Sequence, residues 1–280
     1  MNLVLQGRDE SRARLERIAA LTAPQSLTWL SDRAVRCEGI AFSPALRQTI
    51  EVAAHAAQLD ATYAIGVQKM SDFKLVAMDM DSTLITIECI DEIADMQGLK
   101  AQVSEITEAA MRGELDFAAS LTRRVALLEG LDASALERVY EERLKLSPGA
   151  EAMLQAVQQA GLKTLLVSGG FTYFTSRLKE RLKLDYTHAN ELEIVDGKLT
   201  GKVLGAIVDA DAKQQTVERV CAELGISPSQ AIVMGDGAND LKMMSIAGMS
   251  VAFRAKPVVR EQASVALNFA GLDGILPLLA

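Results

Sequence analysis

The chain has 280 residues, 49% of them apolar and 24% charged, which excludes a disordered or fibrous protein and leaves one large domain or two. Twenty-nine basic against 37 acidic residues give a net charge of −8, so no nucleic-acid partner is expected, and an anionic substrate would need local positive charge or a metal. The opening MNLVLQGRDES lacks the apolar core of a signal peptide, and no apolar run approaches the ~20 residues that cross a bilayer, so a cytoplasmic protein with no membrane partner is expected.

Residues 1–72 hold eight basic and eight acidic residues, so the whole net charge falls on 73–280 and we expect a boundary near 72. In the first segment Asn2–Leu5 reads as a strand. Asp9–Ala20 reads as a helix with Leu15, Ile18 and Ala19 on one face. Ser26–Leu30 and Ala34–Ile40 read as strands. Ser43 is a candidate N-cap for a helix to about Leu59, and Thr62–Val67 closes the segment as a strand. The order βαββαβ predicts a small ferredoxin-like α+β domain.

From residue 73 the pattern changes. Lys74–Met78 is an apolar run of the kind buried on both faces of a sheet. Glu88–Lys145 has helical periodicity throughout. Beyond it Leu162–Val167 predicts a strand, Thr172–Leu182 a helix, and Leu192–Val203 a hairpin about Asp196-Gly197. Lys213–Leu224 is a helix, Ala231–Met234 a strand, Asp240–Ala247 a helix and Ser250–Phe253 a strand. This alternation predicts an α/β fold with a doubly wound parallel sheet, interrupted after its first strand by an all-helical insertion at about 88–147.

Sites in such sheets form beyond the carboxyl ends of the strands. The residues there are Asp79-Met80-Asp81-Ser82-Thr83-Leu84, then Ser168-Gly169-Gly170, then Gly235-Asp236-Gly237-Ala238-Asn239-Asp240, with Lys213 at the opening of a helix. Asp79, Asp81, Asp236 and Asp240 converge at one edge, where mutual repulsion favours a bound cation. Hard oxygen donors suit Mg²⁺. With Ser168 on a glycine turn and a lysine nearby, the set makes a receptor for a phosphoryl group, and Asp79 becomes a candidate nucleophile. Other chemistries fail on the residues. A calcium loop from Asp79 would need Gly and Glu where Leu84 and Ile90 stand. Cys37, Cys89 and Cys221 suggest no disulfide framework, no Cys-x-x-Cys zinc site and no thiol phosphatase, because the sixth residue after each is Ser43, Asp95 or Ser227 rather than Arg. The two histidines, His55 and His188, fall outside these turns.

DMDSTL, VSGGF, the isolated Lys213 and GDGANDLKMM resemble the four motifs of the haloacid dehalogenase superfamily of aspartate-nucleophile phosphatases. ECIDEIA and MRGELDFAASLTRRVALLEGL resemble its phosphoserine phosphatase branch, and the likeness runs from about Asp72 to the C-terminus. The resemblance implies a Mg²⁺-dependent hydrolysis of phosphoserine, the last step of serine biosynthesis. Asp79 would attack phosphorus. Asp81 would protonate the leaving oxygen and then activate water. The Asp79 carboxylate, the Asp81 carbonyl and Asp236 would bind the metal, with Asp240 behind them. Ser168, Gly169, Lys213 and Asn239 would hold the phosphoryl group and substrate. In the insertion, which would act as a cap, Glu88 would bind the ammonium and Arg124 the carboxylate, with Met111 and Phe117 as walls. Arg123 is read as solvated.

Two rivals are weighed on the sequence: a related phosphatase or phosphotransferase for another small phosphate ester, and an amino-acid-sensing protein with a vestigial core, against which the intact Asp79, Asp81, Lys213 and Asp236 argue. The first 72 residues resemble an ACT-type regulatory domain, with Gln6-Gly7-Arg8 as its first turn. Exposed edges on a four-stranded sheet lead us to expect a homodimer.

Overall fold

The structure, a computed structural model, describes residues 1–9, 12–64, 68–111 and 114–279, with Met111 described by its backbone alone. The N-terminal unit runs β1 (Asn2–Gln6), α1 (Arg12–Ala20), β2 (Ser26–Ser31), β3 (Ala34–Glu38), α2 (Pro44–Ala56) and β4 (Asp60–Ala64). The parts of the first helix and last strand expected at 10–11 and 65–67 lie outside the described residues. Ser43 caps α2 as expected: its hydroxyl accepts from the Leu46 amide, and Pro44 opens the helix where no N–H is needed. The four strands form an antiparallel sheet in the order β2-β3-β1-β4, the ferredoxin-like arrangement.

The core begins with β5 (Leu75–Met78). The insertion follows as α3 (Cys89–Asp95), α4 (Lys100–Met111), α5 (Phe117–Ala126) and α6 (Ser134–Arg138). Next come α7 (Ala150–Gln159), β6 (Lys163–Phe171), α8 (Thr172–Leu182), β7 (Tyr186–Val195) and β8 (Lys198–Leu204). The chain ends through α9 (Ala210–Glu223), β9 (Ala231–Gly235), α10 (Leu241–Ser245), β10 (Met249–Phe253), α11 (Pro257–Gln262), β11 (Val265–Leu267) and a tight helical segment, Leu272–Leu279. One seven-stranded sheet has the order β11-β10-β9-β5-β6-β7-β8, parallel throughout except for the β7–β8 hairpin at its edge.

The apolar run in β5 has a direct cause. Val76 and Met78 belong to one hydrophobic cluster, with α7, α8 and the cap, while Leu75 and Ala77 belong to another, with α9 and α10. Both faces are covered, so no polar residue alternates.

Several elements differ from the sequence expectation. The helix α7 lies where none was expected, and α11, β11 and the C-terminal segment extend the fold past Phe253. The helix expected over Asp240–Ala247 is shorter, and β7 starts earlier, at Tyr186, pairing with β6 before it turns into the hairpin. His188 therefore lies inside a strand.

The two units meet at the β4 edge. Asp60, only 2% exposed, accepts backbone N–H bonds from Asn268, Phe269 and Ala270 beyond β11. Val4 of β1 joins the core's main hydrophobic cluster.

Candidate active site

Asp79 directly follows β5, and its carboxylate is fixed from two sides. Oδ1 accepts from the Met80 amide at 2.7 Å, and Oδ2 meets Lys213 Nζ at 2.8 Å. The chain then folds into a wide turn closed by the Leu84 amide on the Asp79 carbonyl and the Ile85 amide on the Met80 carbonyl. Ser82 takes a positive φ of 55° in this turn. Its hydroxyl donates to Glu88 Oε1 at 2.7 Å, and the Cys89 amide donates to Asp81 Oδ1 at 3.2 Å. The turn thus ties the first motif to the start of the cap.

On the next strand, β9 delivers Asp236 and Asp240. Asp240 is fully buried; its Oδ2 accepts from the Asp236 and Gly237 amides and its Oδ1 from Lys213 Nζ at 2.7 Å. Lys213 lies in the first turn of α9, which Asp209 caps. It is 0% exposed between Asp79 and Asp240. Burial works against its charge, but the two carboxylates outweigh that and raise its pKa. Burial first, then Asp240, raises the Asp79 pKa well above the ordinary range, with Lys213 opposing. Asp236 is pushed up to about 7 by burial, Asp240 and Glu88, and Asp81 to about 7 by burial and Glu88.

Asp79, Asp236 and Asp240 each offer one carboxylate oxygen, and these lie within 4.8 Å of one another. Three hard anionic donors whose charges oppose one another at ordinary pH fit a divalent cation such as Mg²⁺. The Asp81 carboxylate stands outside this trio.

Ser168 and Gly169 sit near the end of β6. Ser168 Oγ accepts from the Gly170 amide at 2.8 Å. A Cβ on Gly169 would strike the Phe117 ring of the cap, and one on Gly170 would strike Asp81 Oδ2 and Met80. Glycine at both positions lets these side chains approach the turn closely.

A cavity of about 780 Å³ lies between core and cap. Asp79, Asp81, Ser168, Gly169, Asp236 and Asn239 line it from the core, and Glu88, Phe117 and Arg124 from the cap. Arg124 turns inward and its buried Nε has no partner, while Arg123 faces solvent. Lys213 and Asp240 are buried out of solvent contact, held to Asp79 and Asp236. The Met111 side chain lies outside the described residues. The sequence reading missed Thr83, fully buried, which donates to Asp236 Oδ1 at 3.0 Å. A hydroxyl inside the first motif was the available signal. It also missed Asp91 and Lys256, which line the same cavity.

Fold and site together define a hydrolase of the haloacid dehalogenase-like kind, and the model of that family matches residues 73–248. A phosphoserine phosphatase of a Polaromonas species is 58% identical over 216 residues, 75% of this chain and 92% of the relative. The crystal structure of a hydrolase of the same family from Salmonella enterica serovar Typhi superposes with a TM-score of 0.87 at 34% identity, covering 100% of this chain and 99% of that one. A solved phospho-aspartyl intermediate analogue of phosphoserine phosphatase gives 0.70 at 39% identity, covering 74% of this chain and 99% of that one. The chain belongs to the phosphoserine phosphatases within the haloacid dehalogenase-like hydrolases, and it is a phosphatase enzyme.

Proposed function

We propose that this enzyme hydrolyses O-phosphoserine to serine and inorganic phosphate through a phosphorylated Asp79, with Mg²⁺ as cofactor. The observation that carries this reading is one cavity with two chemistries. Its core side gathers Asp79, Ser168 and the Asp236 edge, and its cap side presents Glu88 and Arg124, an anion and a cation. Phosphoserine carries a phosphate, an ammonium and a carboxylate, and each finds a group of opposite charge or a donor.

An oxygen of Asp79 attacks phosphorus, and the bond to the serine oxygen breaks. Asp81 gives that oxygen its proton; a carboxyl whose pKa is raised to about 7 by burial holds one. Asp81 then takes a proton from water, whose oxygen attacks the phosphoaspartate and frees Asp79. The Ser168 hydroxyl, its oxygen already accepting from Gly170, is left to donate to the phosphoryl oxygens. Lys213 holds Asp79 and offsets its charge. Glu88 and Arg124 orient the amino-acid end, Arg124 in two-point fashion, with Asn239 and Phe117 beside it. Mg²⁺ held by Asp79, Asp236 and the Asp81 carbonyl, with Asp240 behind, would supply positive charge that screens the phosphoryl oxygens from the carboxylate.

The relative described as a phospho-aspartyl intermediate analogue supports the covalent step. The test is phosphate release from phosphoserine with and without Mg²⁺. We expect release only with the metal, and a fall of ~10³-fold or more for Asp79→Asn, which keeps the shape and loses the anion. Near-normal turnover by Asp79→Asn would remove the mechanism.

A further inference from the structure

The phosphate-binding turn has a weakness built into it. Gly169 and Gly170 are consecutive glycines, and a Cβ on either would press on the side-chain ends of Phe117, or of Asp81 and Met80. The peptide between two glycines meets little steric resistance to rotation. A rotated peptide would point the Gly169 carbonyl, an oxygen dipole, toward an anionic ligand.

Asn190 of β7 stands behind that peptide. It is 1% exposed. Its Nδ2 donates to the Gly169 carbonyl at 2.7 Å, and its Oδ1 accepts from the Val208 amide at 2.8 Å. Both ends of the amide are used, and the opposite amide orientation would set oxygen against oxygen and N–H against N–H. In a trans peptide the C=O and N–H point opposite ways. Holding the Gly169 carbonyl therefore aims the Gly170 N–H at Ser168 Oγ, where it is found at 2.8 Å. That bond occupies the serine oxygen and frees its proton for the ligand. The other end of Asn190 grips Val208, one residue before Asp209, the cap of the helix that carries Lys213.

We propose that Asn190 is a positioning residue: it locks the Gly169–Gly170 peptide and sets the phosphate-binding turn in register with the start of α9. The inference rests on the reading of Ser168-Gly169 as phosphoryl receptor, and extends it to a residue outside the four motifs.

Asn190→Asp tests it, because the variant keeps the size and the acceptor for Val208 but sets an oxygen against the Gly169 carbonyl. Asn190→Ala, which buries no charge, is the second variant. Binding of inorganic phosphate in the presence of Mg²⁺ is measured by calorimetry, and kcat and KM are measured on phosphoserine and on a plain aryl phosphate. We expect the phosphate Kd to rise about tenfold in both variants, with KM rising by a like factor on both esters, since the phosphoryl group is common to them. An unchanged phosphate Kd in a folded variant, with the loss confined to Tm, overturns the proposal. Failure of both variants to fold overturns it as well, by making Asn190 a residue of the core alone. Phosphate binding and aryl phosphate turnover do not depend on phosphoserine being the natural substrate. A wild-type enzyme that binds phosphate but ignores phosphoserine would therefore count against the substrate reading only.

Discussion

Lys213 has two carboxylate partners and no contact with solvent. A buried ammonium is tolerable only in such company, and removing both partners would leave its charge uncompensated. The same crowding governs how the protein responds to pH. Asp81 and Asp236 have folded-state pKa values near 7, against an ordinary 3.8. Without metal the folded chain then binds protons that the unfolded chain has released. The resulting stability is fully present below about 3.8 and is lost as pH rises through about 7. We expect metal-free protein to melt lower at pH 8 than at pH 5. Mg²⁺, by favouring the ionised carboxylates, should raise Tm more at pH 8 than at pH 5; scanning calorimetry at the two pH values checks both. Arg124 is the second test at this scale. Charge-assisted hydrogen bonds contribute ~1.5–3 kcal/mol, so Arg124→Ala should cut kcat/KM on phosphoserine roughly 10- to 150-fold and leave an aryl phosphate nearly untouched. Equal losses on both would take Arg124 out of substrate choice. Asp79, Ser168 and Asp236 were legible because each lies at or just beyond the end of an apolar strand. Asn190 was not, since a lone Asn inside a strand carries no spacing signal and its partners come from two distant segments.

Among the elements, the cap is held at two places. Its stems pair near the core through Ile85 and Leu146. Its far side is gripped by the β7–β8 hairpin, where Gly130 and Ala133 donate to Leu199 and Gly197, and Leu199 donates back to Leu131. Gly201, at φ 76°, lets β8 pass close to Glu129 and Ala126. Gly201→Val should strain that passage and loosen the cap. Faster amide exchange over residues 127–133 and a lower Tm are expected; unchanged exchange there would mean the hairpin does not restrain the cap. The elements missed in the sequence have physical reasons for being quiet. Helix α7 starts from Gly149 in a left-handed conformation with no side-chain cap, so no Ser, Thr, Asp or Asn announces it. Strand β11 has three residues and exists through its pairing with β10, too short for any periodicity. The hairpin and α8, with clear turn and helix patterns, were legible.

At the scale of the whole molecule, Asp60 joins the two units. Asp60→Ala would leave three N–H groups of residues 268–270 without their acceptor, at a cost of about 1–3 kcal/mol. Tm should fall by several degrees, with kcat at 25 °C unchanged; an unaltered Tm would show that this contact does not hold the units together. The β4 edge lies against β11, so β2 is the free edge of the N-terminal sheet among the described residues.

The position of β5 has a consequence for how the molecule is born. It is the first core strand to leave the ribosome, yet it lies between β6 and β9, and its Leu75 pairs with Ala231. The helices of the cap, built on local contacts, have everything they need long before that partner is synthesised. Strand β5, apolar on both faces, must wait for β6 at Lys163–Phe171 to gain its first neighbour and for β9 at Ala231–Gly235 to gain its second, a state open to wrong association. Asp79 waits with it, since Lys213, Asp236 and Asp240 are all made late. Catalysis should therefore be among the last properties a nascent or refolding chain acquires, well after its helices have formed.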